Sequence, residues 1–186
     1  MANIGYIQVV RHCNHFCGFC SNPTTPYTHT FETMKVLVDD LVARGYFGVI
    51  LTGGEPSLHP ELPRICAYAT SVGLHVRMIT NGWRLSDEGF AREMADAGLK
   101  LVHVSVYSVR PDVEERLRGT KDTLPRAFAA VENAHKYGVE VNINCVINKL
   151  NADHLDENIR HWITHHPHIR HFVWNNLDPS MGRAEV

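Results

Sequence analysis

The chain of 186 residues has no long hydrophobic run: no window approaches the length of a bilayer span. Its first ten residues carry no basic segment followed by an apolar one, so neither membrane insertion nor export is expected. It also has no charge excess. The balance of 18 Lys and Arg against 20 Asp and Glu leaves a formal charge of −2, which excludes an electrostatic footprint for nucleic acid or for an anionic membrane. Repeats, low-complexity tracts and linker-like stretches are missing too. The five cysteines do not make a disulfide framework, because three are crowded within eight residues while Cys66 and Cys145 stand alone, each expected to be a buried apolar thiol. The length suits one well-buried domain and is short for two, so residues 1–186 are expected to form a single domain in a reducing, cytosolic compartment.

What is present is concentrated in Arg11 to Cys20, R-H-C-N-H-F-C-G-F-C, which holds Cys13, Cys17 and Cys20. Thiolates this close usually hold a metal. A closed zinc site wants four ligands, whereas three cysteines on a four-iron cluster leave one iron open. The run also follows an apolar strand, Gly5–Val10, instead of forming two paired knuckles. Two other readings stay open on the residues alone: a zinc site completed by His12 or His15, and three unrelated thiols.

Along the chain, short β-branched runs alternate with helical stretches. The strands are expected at Gly5–Val10, Gly48–Leu51, Leu74–Ile79, Leu101–Val106, Val139–Ile147 and Ile169–Trp174. Between them, Phe31, Met34, Val38, Leu41 and Val42 share a helical face, as do Leu124, Phe128 and Val131, then Leu155, Ile159, Trp162 and Ile163. Gly45, Gly73, Gly98 and Gly138 each close a helical run before a strand. Repeated βα units demand a parallel sheet with right-handed crossovers, and six strands are too few for the usual closed barrel. The choice lies between an open doubly wound sheet and an α/β partial (β/α)6 barrel lacking most of its sixth helix. Strand polarity favours the barrel. Asn142, Asn144 and Asn148 share one parity of the fifth strand, and His103, Ser105 and Tyr107 share one of the fourth, as residues facing a wet lumen would.

The unusual residues fall at the C-terminal ends of the strands, the rim where ligands bind in parallel α/β architectures. There lie the cysteine loop, Thr52-Gly53-Gly54-Glu55-Pro56, Thr80-Asn81-Gly82, Ser105 with Tyr107, Asn148, and Asn175-Asn176. A glycine pair allows close backbone approach to a ligand, and the following glutamate is an acceptor for an ammonium.

The C-x3-C-x2-C spacing with Phe19 before its last cysteine, followed at a suitable distance by G-G-E-P, resembles the radical S-adenosylmethionine (radical SAM) enzymes. The likeness runs from the first strand to the sixth. Ile79-Thr80-Asn81-Gly82 and Val146-Ile147-Asn148 look like the branch of the molybdenum-cofactor enzyme, the SPASM-type peptide-modifying enzymes and viperin. The resemblance implies a [4Fe-4S] cluster on Cys13, Cys17 and Cys20, and S-adenosylmethionine held by Phe19, Gly53, Gly54, Glu55, Ser105 and Arg118. In that scheme Gly53-Gly54-Glu55 receives the methionine amino group, Phe19 lies against the adenine through its backbone, Ser105 reaches the ribose, and the guanidinium fork of Arg118 pairs with the methionine carboxylate. It further implies a flavodoxin or ferredoxin as electron donor and a small-molecule or peptide substrate, with Thr80, Asn81, His103, Tyr107, Asn144, Asn148, Asn175 and Asn176 as candidate pocket residues.

Two departures bear on the substrate. Val49-Ile50-Leu51 stands where the molybdenum-cofactor enzyme has an arginine for its nucleotide, and Asn142 where viperin has a phosphate-binding lysine. Both remove positive charge, which argues against a nucleoside triphosphate. The chain ends soon after the sixth strand without C-terminal cysteines for auxiliary clusters, so a barrel left open to a large partner or the core of a longer protein is expected. An activating enzyme that installs a glycyl radical on a partner, and a non-catalytic zinc module, are the rival readings. The histidine run from His161 to His171 is expected to be a solvated helix end and loop, its rings having no evident common geometry.

Overall fold

The computed structural model describes residues 3–22 and 24–177. Six strands, β1 (Ile4–Val10), β2 (Gly48–Gly53), β3 (His75–Thr80), β4 (Leu101–Ser105), β5 (Glu140–Ile147) and β6 (Phe172–Asn176), form one sheet in the order β1-β2-β3-β4-β5-β6. Every pairing is parallel, and β1 and β6 are the two edges, so the barrel is open. The helices are α1 (Phe31–Ala43), α2 (Leu62–Ser71), α3 (Glu88–Asp96), α4 (Pro111–Arg118), α5 (Thr123–Lys136) and α6 (Leu155–His165). Whether a further helix follows β6 lies outside the described residues.

Local chemistry sets the boundaries. Thr30 and Asp87 accept the amides of Thr33 and Phe90 and so cap the starts of α1 and α3. Gly45, Gly73, Gly98 and Gly138 all have positive φ, at 72°, 90°, 96° and 75°, where the chain turns back toward the sheet. Val9, Leu51, Val76, Met78 and Val104 lie on the covered face of the sheet and pack with Met34 and Val38 of α1 and Ile65 of α2 in one continuous core. Each such side chain contributes about 1.5–3 kcal/mol by leaving water.

Two expectations need correction. The last strand begins three residues later than its apolar pattern suggests. Ile169 is buried, but as an anchor whose amide bonds the carbonyl of His166, and pairing with β5 starts at Phe172 opposite Ile143. On α6, Asn158 and Trp162 are the buried residues, while Ile163 is 53% exposed. Asn158 is drawn inward because its amide donates to the carbonyl of Tyr107 and its side-chain oxygen accepts the amide of Val109. Polar service to the rim has displaced the simple apolar stripe.

Candidate active site

The cysteine loop leaves β1 and is tied at both ends. His29 N–H donates to the carbonyl of Val9, and Arg11 N–H to that of Tyr27, closing the loop at its neck. Within it, the amides of Phe16 and Gly18 donate to the carbonyls of Arg118 and Leu117, which pins the loop to the end of α4. Gly119, the next residue, has φ of 59°, and a Cβ there would lie 2.7 Å from the carbonyl oxygen of Phe16. The fit between loop and helix end therefore requires glycine.

The second strand meets the same loop. Val10 pairs with Gly53, and the amides of Gly54 and Glu55 donate to the carbonyls of Val10 and His12. A Cβ on Gly53 would approach Val10 O to 2.2 Å, and one on Gly54 would approach His12 O to 2.0 Å. The glycine pair is thus explained first by backbone packed on backbone, placing Gly53 beside Val10 and Gly54 beside His12, the residue preceding Cys13.

Glu55 is buried, and its carboxylate is already committed. One oxygen accepts from Ser57 N–H (3.1 Å) and the Thr80 hydroxyl (2.6 Å), the other from Asn81 N–H (2.7 Å). Burial raises its pKa, and these hydrogen bonds oppose the rise. The side chain thus latches the loop after β2 to the loop after β3. Asn81 continues the connection, its amide donating to Asn14 Oδ1 at 2.8 Å and lying 4.0 Å from Cys13 Sγ.

Arg118 is fully buried, neither solvated nor free. Its Nε donates to Glu114 Oε1 (2.5 Å), Nη1 to His15 Nδ1 (3.1 Å), and Nη2 to the Ser105 carbonyl. The other oxygen of Glu114 accepts the amides of Tyr107 and Ser108. Arg118 thereby joins α4, the end of β4 and the cysteine loop. A fork held in this way fixes the cysteine loop against the end of β4.

These contacts bring Cys13, Cys17, Cys20, Phe19, Gly53, Gly54, Glu55, Ser105 and Arg118 onto one cavity of about 480 Å³. Thr80, Asn81, Tyr107, Asn144 and Asn176 line it as well, and the Phe19 ring meets Tyr107 edge-on at 4.7 Å. Three candidate pocket residues do not line it. His103 lies lower on β4 near Arg77 and His171, where burial lowers its pKa to about 4. Asn148 closes the turn after β5, accepting from Leu150 N–H and donating to the carbonyl of Val146. Asn175 donates to Asn144 Oδ1 at 2.8 Å and supports that residue.

Glu114 and Asn151 escaped sequence reasoning, and His15 entered it only as a possible zinc ligand. Glu114 and Arg118 are spaced i,i+4, which is legible as a helix pair, but its burial is not. His15 lines the cavity, its pKa is lowered to about 3 by burial and by Arg118, and its Nε2 is buried without a partner among the described residues. Cys66 and Cys145 are buried thiols as expected, and burial pushes both up to about 12. The same effect raises Cys13 and carries Cys17 up to about 12, with Arg118 opposing it at Cys17.

Among curated relatives, the Fe-coproporphyrin III synthase of Methanosarcina barkeri is 31% identical over 149 residues, covering 78% of this chain and 37% of that protein. The PqqA peptide cyclase of Xanthomonas oryzae pv. oryzae is 31% identical over 153 residues, covering 79% and 40% respectively. The chain therefore spans about two fifths of the length of these relatives. Streptococcus suis SuiB, in its crystal structure bound to S-adenosylmethionine, superposes with a TM-score of 0.85 at 17% identity, covering all of this chain and 43% of the other, a likeness of fold. Residues 7–161 match the family model of the radical SAM superfamily, and this chain belongs to that superfamily.

Proposed function

We propose that this chain is a radical SAM enzyme core in which Cys13, Cys17 and Cys20 ligate a [4Fe-4S] cluster and S-adenosylmethionine fills the cavity beside them. The observation that carries the reading is convergence: three loop thiols, the Gly53-Gly54 backbone and the end of β4 open onto one space of about 480 Å³, a size suited to a cofactor. The residues fit these groups. Burial raises both Cys13 and Cys17, and Cys20 acts on both and Cys13 on Cys17 as like charges, so their thiolate forms are favoured by a bound cation. No further cysteine lines the cavity among the described residues, which matches three ligands on a four-iron cluster.

When bound, the cluster and S-adenosylmethionine supply one-electron cleavage of the sulfonium and a 5′-deoxyadenosyl radical that takes a hydrogen atom from the substrate. The chain's own part is placement. Gly53 and Gly54 bring backbone up to the cysteine loop with no side chain in the way, which leaves space for the methionine amino group. Phe19 and Tyr107 form the apolar wall against which an adenine lies, and Ser105 stands at the end of β4 for a ribose hydroxyl. Arg118, held by Glu114, keeps a fixed positive charge under this wall and orients the loop carrying Cys17.

The lumen beyond Ser105 is polar and uncharged, through Asn144, Asn176 and Thr52, which suits a peptide backbone or a small neutral metabolite. A peptide is favoured by two of the similar proteins, a cyclase of the PqqA peptide and SuiB, also solved with its precursor peptide SuiA. A reduced flavodoxin or ferredoxin in the cytosol would deliver the electron. No helix among the described residues is long and apolar enough to cross a membrane.

The test is anaerobic incubation with dithionite, S-adenosylmethionine and deuterated candidate peptides, followed by mass spectrometry of 5′-deoxyadenosine. Deuterium transferred from a peptide establishes both hydrogen abstraction and substrate class. Zinc in place of iron after reconstitution would overturn the reading, in favour of a zinc site closed by His15.

A further inference from the structure

At the opposite end of the barrel, where α5 and the connection from α6 enter β5 and β6, the structure gathers the histidine run that the sequence suggested was solvated. His166 and His168 follow α6, and their side chains are only 12% and 17% exposed. They face Glu132 on α5, whose Oε1 lies 2.5 Å from His166 Nδ1 and 3.9 Å from His168 Nε2. One ligand atom from each of the three lies within 4.8 Å of the others.

Two further observations point to a missing partner. His168 Nε2 is buried without a hydrogen bond among the described residues, an arrangement that in a folded protein asks for an unseen water or ion. The ring is also held rigidly, stacked on His135 with centroids 3.9 Å apart and planes within 7°. His166 is held likewise, stacked on Phe128 at 5.7 Å.

We propose that Glu132, His166 and His168 form a binding site for one divalent transition-metal ion, zinc being the best match, separate from the cysteine loop. Two imidazoles and a carboxylate are a borderline-soft donor set that suits zinc, and a water would complete the tetrahedron. Ligand bonds of 2.0–2.2 Å set tetrahedral ligand atoms about 3.3 Å apart. The distances of 2.5 and 3.9 Å bracket that value, so binding needs Glu132 to move off His166 and toward His168. Glu132 is 54% exposed and free to turn. The ion would clip the segment entering β6 onto α5, securing an edge strand at the end of the barrel remote from the chemistry.

The test is equilibrium dialysis against zinc under anaerobic conditions, with iron and zinc counted by mass spectrometry. It uses both cluster-reconstituted protein and the full chain carrying Cys13→Ala, Cys17→Ala and Cys20→Ala, so that the result does not depend on the cluster. The expected result is one zinc per chain in both, without loss of iron from the first, and a rise in melting temperature on adding zinc. His168→Ala and the near-isosteric Glu132→Gln are expected to weaken zinc binding at least tenfold and to abolish that rise, with far-UV circular dichroism unchanged. Cobalt in the chain without its three loop cysteines should give d–d bands without thiolate charge transfer. Zinc bound equally by both ligand variants, no zinc in the chain without its three loop cysteines, or zinc gained only as iron is lost would each overturn the proposal.

Discussion

The helix-covered face of the sheet and its C-terminal rim are built by different rules. The covered face is a continuous apolar core, where Leu51, Met78 and Trp162 are almost wholly buried and touch other hydrocarbon. The rim also buries Glu55, Glu114 and Arg118, held by the hydrogen bonds above, with Asn151, whose side-chain oxygen accepts Asn148 N–H, and His154, whose Nε2 meets the Ser108 hydroxyl. Volume decides the first region and pairing decides the second. A methylene lost from the core leaves a cavity, whereas one partner lost from the rim leaves a buried charge or an orphaned amide. Stability is therefore spread over the covered face, and positional precision is concentrated at the rim.

Substitutions that separate the two regions test this contrast. The largest expected effect is functional and lies at the rim: Cys17→Ala should abolish cluster-dependent cleavage of S-adenosylmethionine, read as 5′-deoxyadenosine by chromatography, while the apo chain melts close to wild type. Next, Glu114→Ala leaves Arg118 buried and unpaired, and should cost about 3–5 kcal/mol in urea unfolding. It should also release the cysteine loop, so that iron retention after reconstitution falls with it. On the covered face, Met78→Ala should cost about 2–5 kcal/mol by cavity formation. Cleavage per folded molecule should there be retained, and a loss of cleavage equal to that of Glu114→Ala would break the contrast.

A pH effect follows from the lumen floor. His103 is held neutral with a pKa lowered to about 4, against about 6.5 for a free imidazole, so its folded pKa is depressed. Its contribution is fully present above pH about 6.5 and is lost as pH falls toward 4, because the unfolded chain takes up the proton first. Urea midpoints should decline over that window, and His103→Gln should flatten part of the decline. The smallest effect belongs to the surface: Arg110 and Glu157 meet at 2.5 Å but are about half exposed, so Arg110→Ala should cost no more than about 1 kcal/mol.

The covered face was the more legible of the two in the sequence. Apolar periodicity and helix-ending glycines carry the βα order directly, because burial on one face leaves a period that any window reveals. The exceptions, Asn158 turned inward and Ile169 buried outside a strand, occur where rim hydrogen bonds or a turn override the stripe. At the rim, position along the chain was legible and partnership was not. That Glu55 and Arg118 stand beside the cavity follows from motif and strand end. That both bond Thr80, Asn81, Ser105, His15 and Glu114 depends on partners 13 to 103 residues apart, or on an i,i+4 pair whose burial no pattern encodes. In the histidine run His165 and His171 are exposed as expected, while His166 and His168 are mostly buried because they face Glu132 on a different helix.

The most direct test of the account is iron and sulfide analysis of the anaerobically reconstituted chain, with 5′-deoxyadenosine measured after dithionite and S-adenosylmethionine. About four irons per chain and release of 5′-deoxyadenosine, both lost in Cys17→Ala, is the predicted result. Iron bound equally well by Cys17→Ala, or a chain that takes no iron and cleaves nothing, would contradict the claim that the rim was assembled to hold a cluster.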